Sequence, residues 1–129
     1  MKIGKYDCDL LYNANAYFDI KEAHGNDITE AMYSTDDSGK IQVDGTQYKN
    51  ICHILSILIV QAELWRRCEG QDKKDIPSLT YIKTHLKPFE VYPIIGKIMN
   101  AVSTGMKQET EEDEEVDLGL LELQKKTVE

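Results

Sequence analysis

The stretch ICHILSILIVQAELW, residues Ile51–Trp65, decides the fold of this chain. Its apolar residues recur every three or four positions, as on one face of a helix: Ile51, Leu55, Leu58, Ala62 and Trp65. Further isoleucines widen this stripe almost to the whole circumference: Ile54, Ile57 and Ile59. A helix that is apolar nearly all round is a buried one. The β-branched content also permits a buried strand, but the length and polar ends favour a central helix from Tyr48 to about Cys68, roughly 30 Å long.

Toward the N-terminus, the sequence predicts a strand and two capped helices. Residues 6–10 alternate between apolar and polar, which is typical of a half-buried strand. Asn13 is placed to cap a helix that Gly25 ends. Asp27 and Glu30 have the spacing of a capping box and begin a second helix that ends near residue 34. The residues expected to face inward are Ala16, Tyr17, Ile20, Ala23, Ile28, Ala31 and Met32.

Between these helices and the central one, the sequence predicts a turn followed by an extended segment. Asp36–Gly39 reads Asp-Asp-Ser-Gly, a combination typical of turns. Ile41 and Val43 then alternate with polar residues, as in a brief strand or an extended loop. We expect this segment to pair with the first strand.

Beyond the central helix, a polar loop over residues 70–76 leads to two more helices. Ser78 can cap the first, which Pro88 stops, and Pro93 suits the first turn of the second, which ends near Gly105. Gly96 within that helix suggests close helix packing. The inward residues expected are Leu79, Ile82, Leu86, Ile94, Ile95, Ile98, Met99 and Val102.

Charge divides the chain into two parts. The 129 residues carry a net charge of −8, yet residues 107–129 hold 9 acids and only 3 bases. Residues 1–106, with 14 acids and 12 bases, are nearly neutral. The prediction is a mainly α fold: a helical bundle around a long central helix, with a short N-terminal strand or hairpin (1–106) and a disordered acidic C-terminal tail (107–129). The acidic balance argues against nucleic-acid binding, which requires a basic face.

Cysteine usage and hydropathy predict a cytoplasmic protein. The three cysteines (Cys8, Cys52 and Cys68) form no close pair, so neither a disulfide framework nor a zinc knuckle is indicated. The N-terminus lacks the apolar stretch of a signal peptide. The most apolar window, residues 54–60, is far shorter than the ~20 residues of a membrane span. We therefore expect no membrane association.

No pattern of catalytic, cofactor-binding or metal-ligating residues stands out. His24, His53 and His85 lie on three different predicted helices, and none has a companion at metal-ligand spacing. Cys52 and His53 are adjacent, and neighbours on a helix point about 100° apart, so they cannot form a catalytic dyad. We expect no catalytic residue, no cofactor and no metal.

Two segments are candidates for binding a partner. Trp65, Arg66 and Arg67 are residue types common at interfaces, so they could form an exposed anchor. In the alternative, Trp65 closes the core while the arginines interact with the helix dipole. The second candidate is an apolar docking peptide after the acidic run: Leu118, Leu120, Leu121 and Leu123. The acidic run itself could keep the protein soluble, tether a basic partner or, least in keeping with a flexible run, mimic DNA.

Three stretches resemble the tail assembly chaperones of long, non-contractile-tailed phages and prophages. KYDCDLLYNANAYFDIKEAHGNDITEAM (Lys5–Met32) resembles the start of that family, with a short strand, a helix, a Gly turn and a capped second helix. ICHILSILIVQAELW (Ile51–Trp65) is similar to its central helix. IPSLTYIKTHLKPFEVYPIIGKIMNAV (Ile76–Val102) is similar to its closing helix pair. The stretch 35–46 and the acidic tail depart from the leanest members of the family.

The resemblance implies a non-enzymatic protein of the bacterial host cytoplasm. Such chaperones bind the long tape measure protein, help to recruit tail tube subunits and tend to self-associate. Other classes remain open from the residues alone. They are another small helical virion morphogenesis protein such as a head–tail connector, an acidic inhibitor that mimics nucleic acid, and a small enzyme whose site assembles only in three dimensions.

Overall fold

A computed structural model describes residues 1–107 and confirms a mainly helical fold built around one long central helix. In chain order the elements are β1 (Lys2–Ile3), β2 (Tyr6–Asp7), α1 (Ala14–His24), α2 (Ile28–Met32), β3 (Ser34–Thr35), β4 (Ile41–Gln42), α3 (Gly45–Cys68), α4 (Leu79–His85), a 3₁₀ turn (Pro88–Glu90) and α5 (Val91–Lys107). The predicted acidic tail lies outside the described residues, except for Lys107 at the end of α5.

Helix α3 is the centre of the molecule and contacts each of the other four α-helices. Its apolar side chains are buried around the circumference, as predicted: Ile51, Cys52, Ile54, Leu55, Ile57, Leu58, Ile59 and Ala62. Each buried isoleucine or leucine among them contributes about 1.5–3 kcal/mol relative to an exposed one. The helix begins before the predicted Tyr48 because Asp44 and Gln47 form a capping box. The Asp44 carboxylate accepts from the Gln47 amide at 2.7 Å, and the Gln47 side chain accepts from the Asp44 amide at 3.0 Å.

The strands form two separate antiparallel hairpins. β1 pairs with β2, so the predicted first strand is a short hairpin that ends at Asp7. β3 pairs with β4, and the expected pairing of residues 41–43 with the first strand is wrong. The cause is the turn at Asp36, whose carboxylate accepts from the amides of Ser38 and Lys40, both at 2.9 Å. These bonds reverse the chain, so that β4 returns onto β3.

Helix α1 has the predicted caps but a narrower buried face. Asn13 accepts from the Ala16 amide at 2.9 Å, and Gly25, at a φ of 88°, ends the helix. Ala16 and Ile20 are buried, whereas Tyr17 and Ala23, also expected to face inward, are exposed. A short surface helix buries only a narrow stripe. Helix α2 has the predicted Asp27 cap, but the Glu30 side chain does not return the second bond of a capping box. The helix buries Ala31 and Met32, with Ile28 half-buried.

Helices α4 and α5 close the bundle. Ser78 caps α4 as predicted, with Ile82 buried and Leu79 and Leu86 half-buried. In α5 the predicted stripe is buried or half-buried: Ile94, Ile95, Ile98, Met99 and Val102. The expected close packing at Gly96 is wrong, because a Cβ added there would meet nothing within 4 Å. The close approach occurs at Gly105, where a Cβ would collide with the carbonyl oxygen of Tyr12.

Candidate functional site

Trp65 lies at the surface near the end of α3 with 51% of its area exposed. The interpretation in which Trp65 closes the core is therefore wrong, and its side chain is exposed, as in the alternative interpretation. Trp65 lines a groove of about 780 Å³ that runs along α1 and the C-terminal half of α5. The residues lining this groove are Leu10, Leu11, Tyr12, Asn13, Ala14, Tyr17, Phe18, Trp65, Lys97, Asn100, Ala101, Thr104, Gly105 and Met106.

Hydrogen bonds to the centre of α3 position the N-terminal wall of the groove. The amide of Leu11 donates to the carbonyl oxygen of Leu58 at 3.2 Å. The side-chain amides of Asn13 and Asn15 both donate to the Oε1 atom of Gln61, at 3.2 and 3.1 Å. Gln61 is buried, and its oxygen thus has two partners. Since a buried amide is costly to leave unpaired, these bonds fix the start of α1 against α3.

The opposite wall comes from the last turns of α5. Gly105 lets this helix approach the backbone of Tyr12 more closely than any residue with a side chain would. Burial of Tyr12 raises the pKa of its hydroxyl, with a smaller contribution from Tyr17. Next to this contact Met106 is 70% exposed. The two walls are therefore held together at Tyr12 while an apolar side chain remains open beside it.

The groove is rich in exposed apolar side chains. Phe18 is 62% exposed, and its ring lies 5.2 Å from that of Tyr17 in an edge-on arrangement. Lys97 is the one charged side chain among the described residues that line the groove. Contiguous exposed apolar surface usually marks a site of contact with another molecule. The arrangement suits the apolar side chains of a peptide or a helix.

Arg66 and Arg67 lie apart from Trp65 and bind a buried carboxylate. Arg66 donates from Nη1 to Oε1 of Glu63 at 2.8 Å, and Arg67 donates from Nε to Oε2 at 2.9 Å. The amide of Lys74 donates to the same Oε2 atom at 2.8 Å. That amide, then Arg67 and Arg66, lower the pKa of Glu63 to about 2. The predicted anchor thus divides: Trp65 lines the groove, and the arginines hold α3 to the loop at Lys74.

The second predicted partner-binding segment lies outside the described residues. It comprises Leu118, Leu120, Leu121 and Leu123. Its role remains a prediction.

Sequence spacing missed a contact between two histidines. Nε2 of His24, at the end of α1, lies 2.8 Å from Nδ1 of His53 on α3. Burial lowers the pKa of His24, and the neighbouring His53 lowers it further, while the Asn50 side chain acts in the opposite direction. The residues are 29 positions apart, so no local motif indicates the pair. Within residues 1–107, no group of three or more His, Cys, Asp or Glu side chains is placed to hold a metal ion.

Two of the cysteines are buried thiols. Burial raises the pKa of Cys8 and that of Cys52, which favours the protonated form, a poor nucleophile. Cys52 is fully buried in the core, and His53 is half-buried at its margin.

Comparison with known proteins gives no further evidence about function. No protein-family model, curated protein or solved structure matches the chain. Among the helices of residues 1–107, none has the length and apolar character needed to cross a membrane. The groove lined by Trp65 and Phe18 is therefore the structural feature from which a function can be argued.

Proposed function

We propose that this chain is a tail assembly chaperone of a long, non-contractile-tailed phage or prophage. In this proposal it binds the tape measure protein in the host cytoplasm and helps to recruit tail tube subunits. The observation that carries the proposal is the groove in which Phe18, Trp65 and Met106 are each more than half exposed. The resemblance of the three sequence stretches selects this class of partner.

The groove has the properties that a reversible holding function requires. Its volume of about 780 Å³ is in the range of pockets that hold small ligands, so it would take the side chains on one face of a client helix. An amphipathic helix presents such side chains at intervals of three and four residues. The walls are fixed by Gln61 and Gly105, so binding would require little rearrangement of the backbone.

The proposed role is non-enzymatic and includes self-association. The resemblance to tail assembly chaperones implies the non-enzymatic role. A second apolar surface, at Phe89 (72% exposed) and Tyr92 (47% exposed), does not line the groove. We assign client binding to the groove.

Co-expression with the tape measure protein of the same phage or prophage genome tests the proposal. The chain has two phenylalanines, and both are exposed: Phe18 in the groove and Phe89 outside it. We expect the unaltered chain and Phe89→Ser to keep the tape measure protein soluble and to co-purify with it, and Phe18→Ser to lose both effects. Equal loss in the two variants would show that the groove is not the binding surface. Failure of the unaltered chain to co-purify would refute the function.

A further inference from the structure

Helix α5 ends beside the groove. Thr104, Gly105 and Met106 all line the groove, and α5 ends at Lys107. The residues that follow in the sequence therefore start at its rim.

The sequence after this point combines a long acidic connection with an apolar segment. Residues 108–117 contain seven acidic residues. Four leucines follow within six positions: Leu118, Leu120, Leu121 and Leu123. From Lys107 to Leu118 an extended chain reaches up to roughly 36 Å. The part of α5 that lines the groove, Lys97 to Met106, rises by roughly 14 Å, so the leucines can reach any point along it.

We infer that the segment Leu118–Leu123 of the same chain occupies the groove when no client is bound. Two properties of the groove match this segment. Its largest exposed side chains, Phe18, Trp65 and Met106, are apolar, as are the four leucines. Its charged lining residue, Lys97, is opposite in sign to the acidic run that would pass beside it. The inference rests on the proposed function only in naming the client as the competitor.

The tether makes occupancy favourable even if the contact itself is weak. A linker of this length gives an effective concentration on the order of 1 mM. A segment that would bind with a Kd of about 0.1 mM as a free peptide is then bound about nine-tenths of the time. A client that needs the same groove would bind about tenfold more weakly than to a chain without the leucines.

Trp65 provides a direct probe, because it is the only tryptophan of the chain and lies in the groove. The experiment compares acrylamide quenching and the emission maximum of the full chain with those of a full-length variant in which all four leucines are replaced by serine (L118S, L120S, L121S, L123S). We expect quenching to be about twofold weaker and the emission at shorter wavelength in the unaltered chain, since apolar contacts exclude water from the indole. Adding a synthetic peptide of residues 116–126 to the variant should restore both properties.

Two further variants test the placement of the segment. Phe18→Ser, which keeps the leucines, should give the emission of the four-serine variant, whereas Phe89→Ser should match the unaltered chain. Circular dichroism establishes that each variant is folded. Phe18→Ser alters an exposed residue, so it keeps the test decisive if the four-serine variant does not fold.

Identical quenching of the unaltered chain and the four-serine variant would overturn the inference. Protection of Trp65 that rises with protein concentration would overturn it too, because it would assign the groove to a second copy. These measurements contain no client, so a result against binding of the segment would not refute the chaperone function. Failure to co-purify with the tape measure protein would, in turn, not refute binding of the segment.

Discussion

Glu63 and Trp65 are two positions apart in α3, yet the charged residue is inside the protein and the aromatic one outside. Glu63 is 3% exposed and Trp65 51% exposed. Two residues along an α-helix correspond to a rotation of about 200°, so the two side chains point to nearly opposite faces. One face is covered by the loop that contains Lys74, and the other borders the groove.

The environment of Glu63 is that of a structural residue. Its two oxygens accept from Arg66, Arg67 and the amide of Lys74, at 2.8–2.9 Å. Arg66 also donates to the carbonyl oxygen of Asp72 at 3.1 Å. A carboxylate can be buried when charged donors satisfy it, and here it joins the end of α3 to the loop.

Trp65 is the opposite case. The molecule leaves half of a large apolar side chain in water beside Phe18 and Met106, which are also exposed. Exposure of apolar area has no compensation within a monomer, whereas a bound segment would remove it from water. The comparison teaches that the charged residue belongs to the architecture and the aromatic residue to the surface for which we propose binding.

Removal of Glu63 should have the largest effect on stability. In Glu63→Ala, Arg66, Arg67 and the Lys74 amide lose their common acceptor, and the loop loses its attachment to α3. We expect a large fall in the midpoint of urea unfolding at neutral pH. The matched control is Glu69→Ala, six positions further along at the C-cap of α3 and exposed, which should unfold close to the unaltered chain. Equal effects would refute the structural role.

The same interaction predicts a pH window. The pKa of Glu63 falls from an ordinary value of 4.5 to about 2 on folding. Its contribution to the stability of the fold is therefore fully present above pH 4.5. It is lost as pH falls from 4.5 to about 2. The stability difference between the unaltered chain and Glu63→Ala should therefore narrow in that range. A constant difference would contradict the lowered pKa.

The two glycines of α5 should respond in opposite directions to alanine. Gly105→Ala places a methyl group against the carbonyl oxygen of Tyr12, so we expect a loss of about 1–3 kcal/mol in the free energy of unfolding. Gly96→Ala meets nothing within 4 Å and improves helix propensity, so we expect a gain of about 1 kcal/mol. Chemical denaturation measures both. A stabilising Gly105→Ala would mean that the groove wall is not closed at Tyr12.

The histidine pair predicts a smaller effect near neutral pH. Because the pKa of His24 is lowered below its ordinary 6.5, the unfolded chain takes up the proton first as pH falls. The stability that the neutral His24 contributes above pH 6.5 is then lost as the pH falls below 6.5. Between about pH 7.5 and about pH 5.5 the unaltered chain should lose more stability than His24→Gln does. His85→Gln, changed at an exposed position on α4, should behave as the unaltered chain.

Truncation of Trp65 should have the smallest effect on folding. Half of the side chain is already in water, so Trp65→Ala should change the free energy of unfolding by about 1 kcal/mol or less. Circular dichroism is the appropriate measurement, since the variant contains no tryptophan. If Trp65→Ala destabilised the protein as much as Glu63→Ala, the contrast between the two faces of α3 would be lost.

The local elements were largely readable from the sequence. Asn13, Asp27 and Ser78 cap the helices that their positions predict. The apolar pattern of residues 51–65 identifies the central helix but not its start, which the capping box of Asp44 and Gln47 sets at Gly45. Caps and hydrophobic periodicity act within a few residues, so sequence spacing is sufficient to find them.

The residues of the groove could be predicted from the sequence only in part. The sequence makes Trp65 a candidate, but not Phe18 or Met106. Phe18 lies off the narrow buried stripe of Ala16 and Ile20, and this position indicates an exposed aromatic side chain. The pattern of residues also does not predict that β3 pairs with β4 or that His24 contacts His53. In each case the partners are set by how helices and turns pack.

Spacing along the chain thus specifies which segments are helical and where they are capped, because those interactions join residues close in sequence. Packing specifies that Glu63 is enclosed, that Trp65 is exposed and that Tyr12 meets Gly105. These outcomes depend on contacts between residues far apart in sequence, whose energies arise only when the helices are assembled around α3.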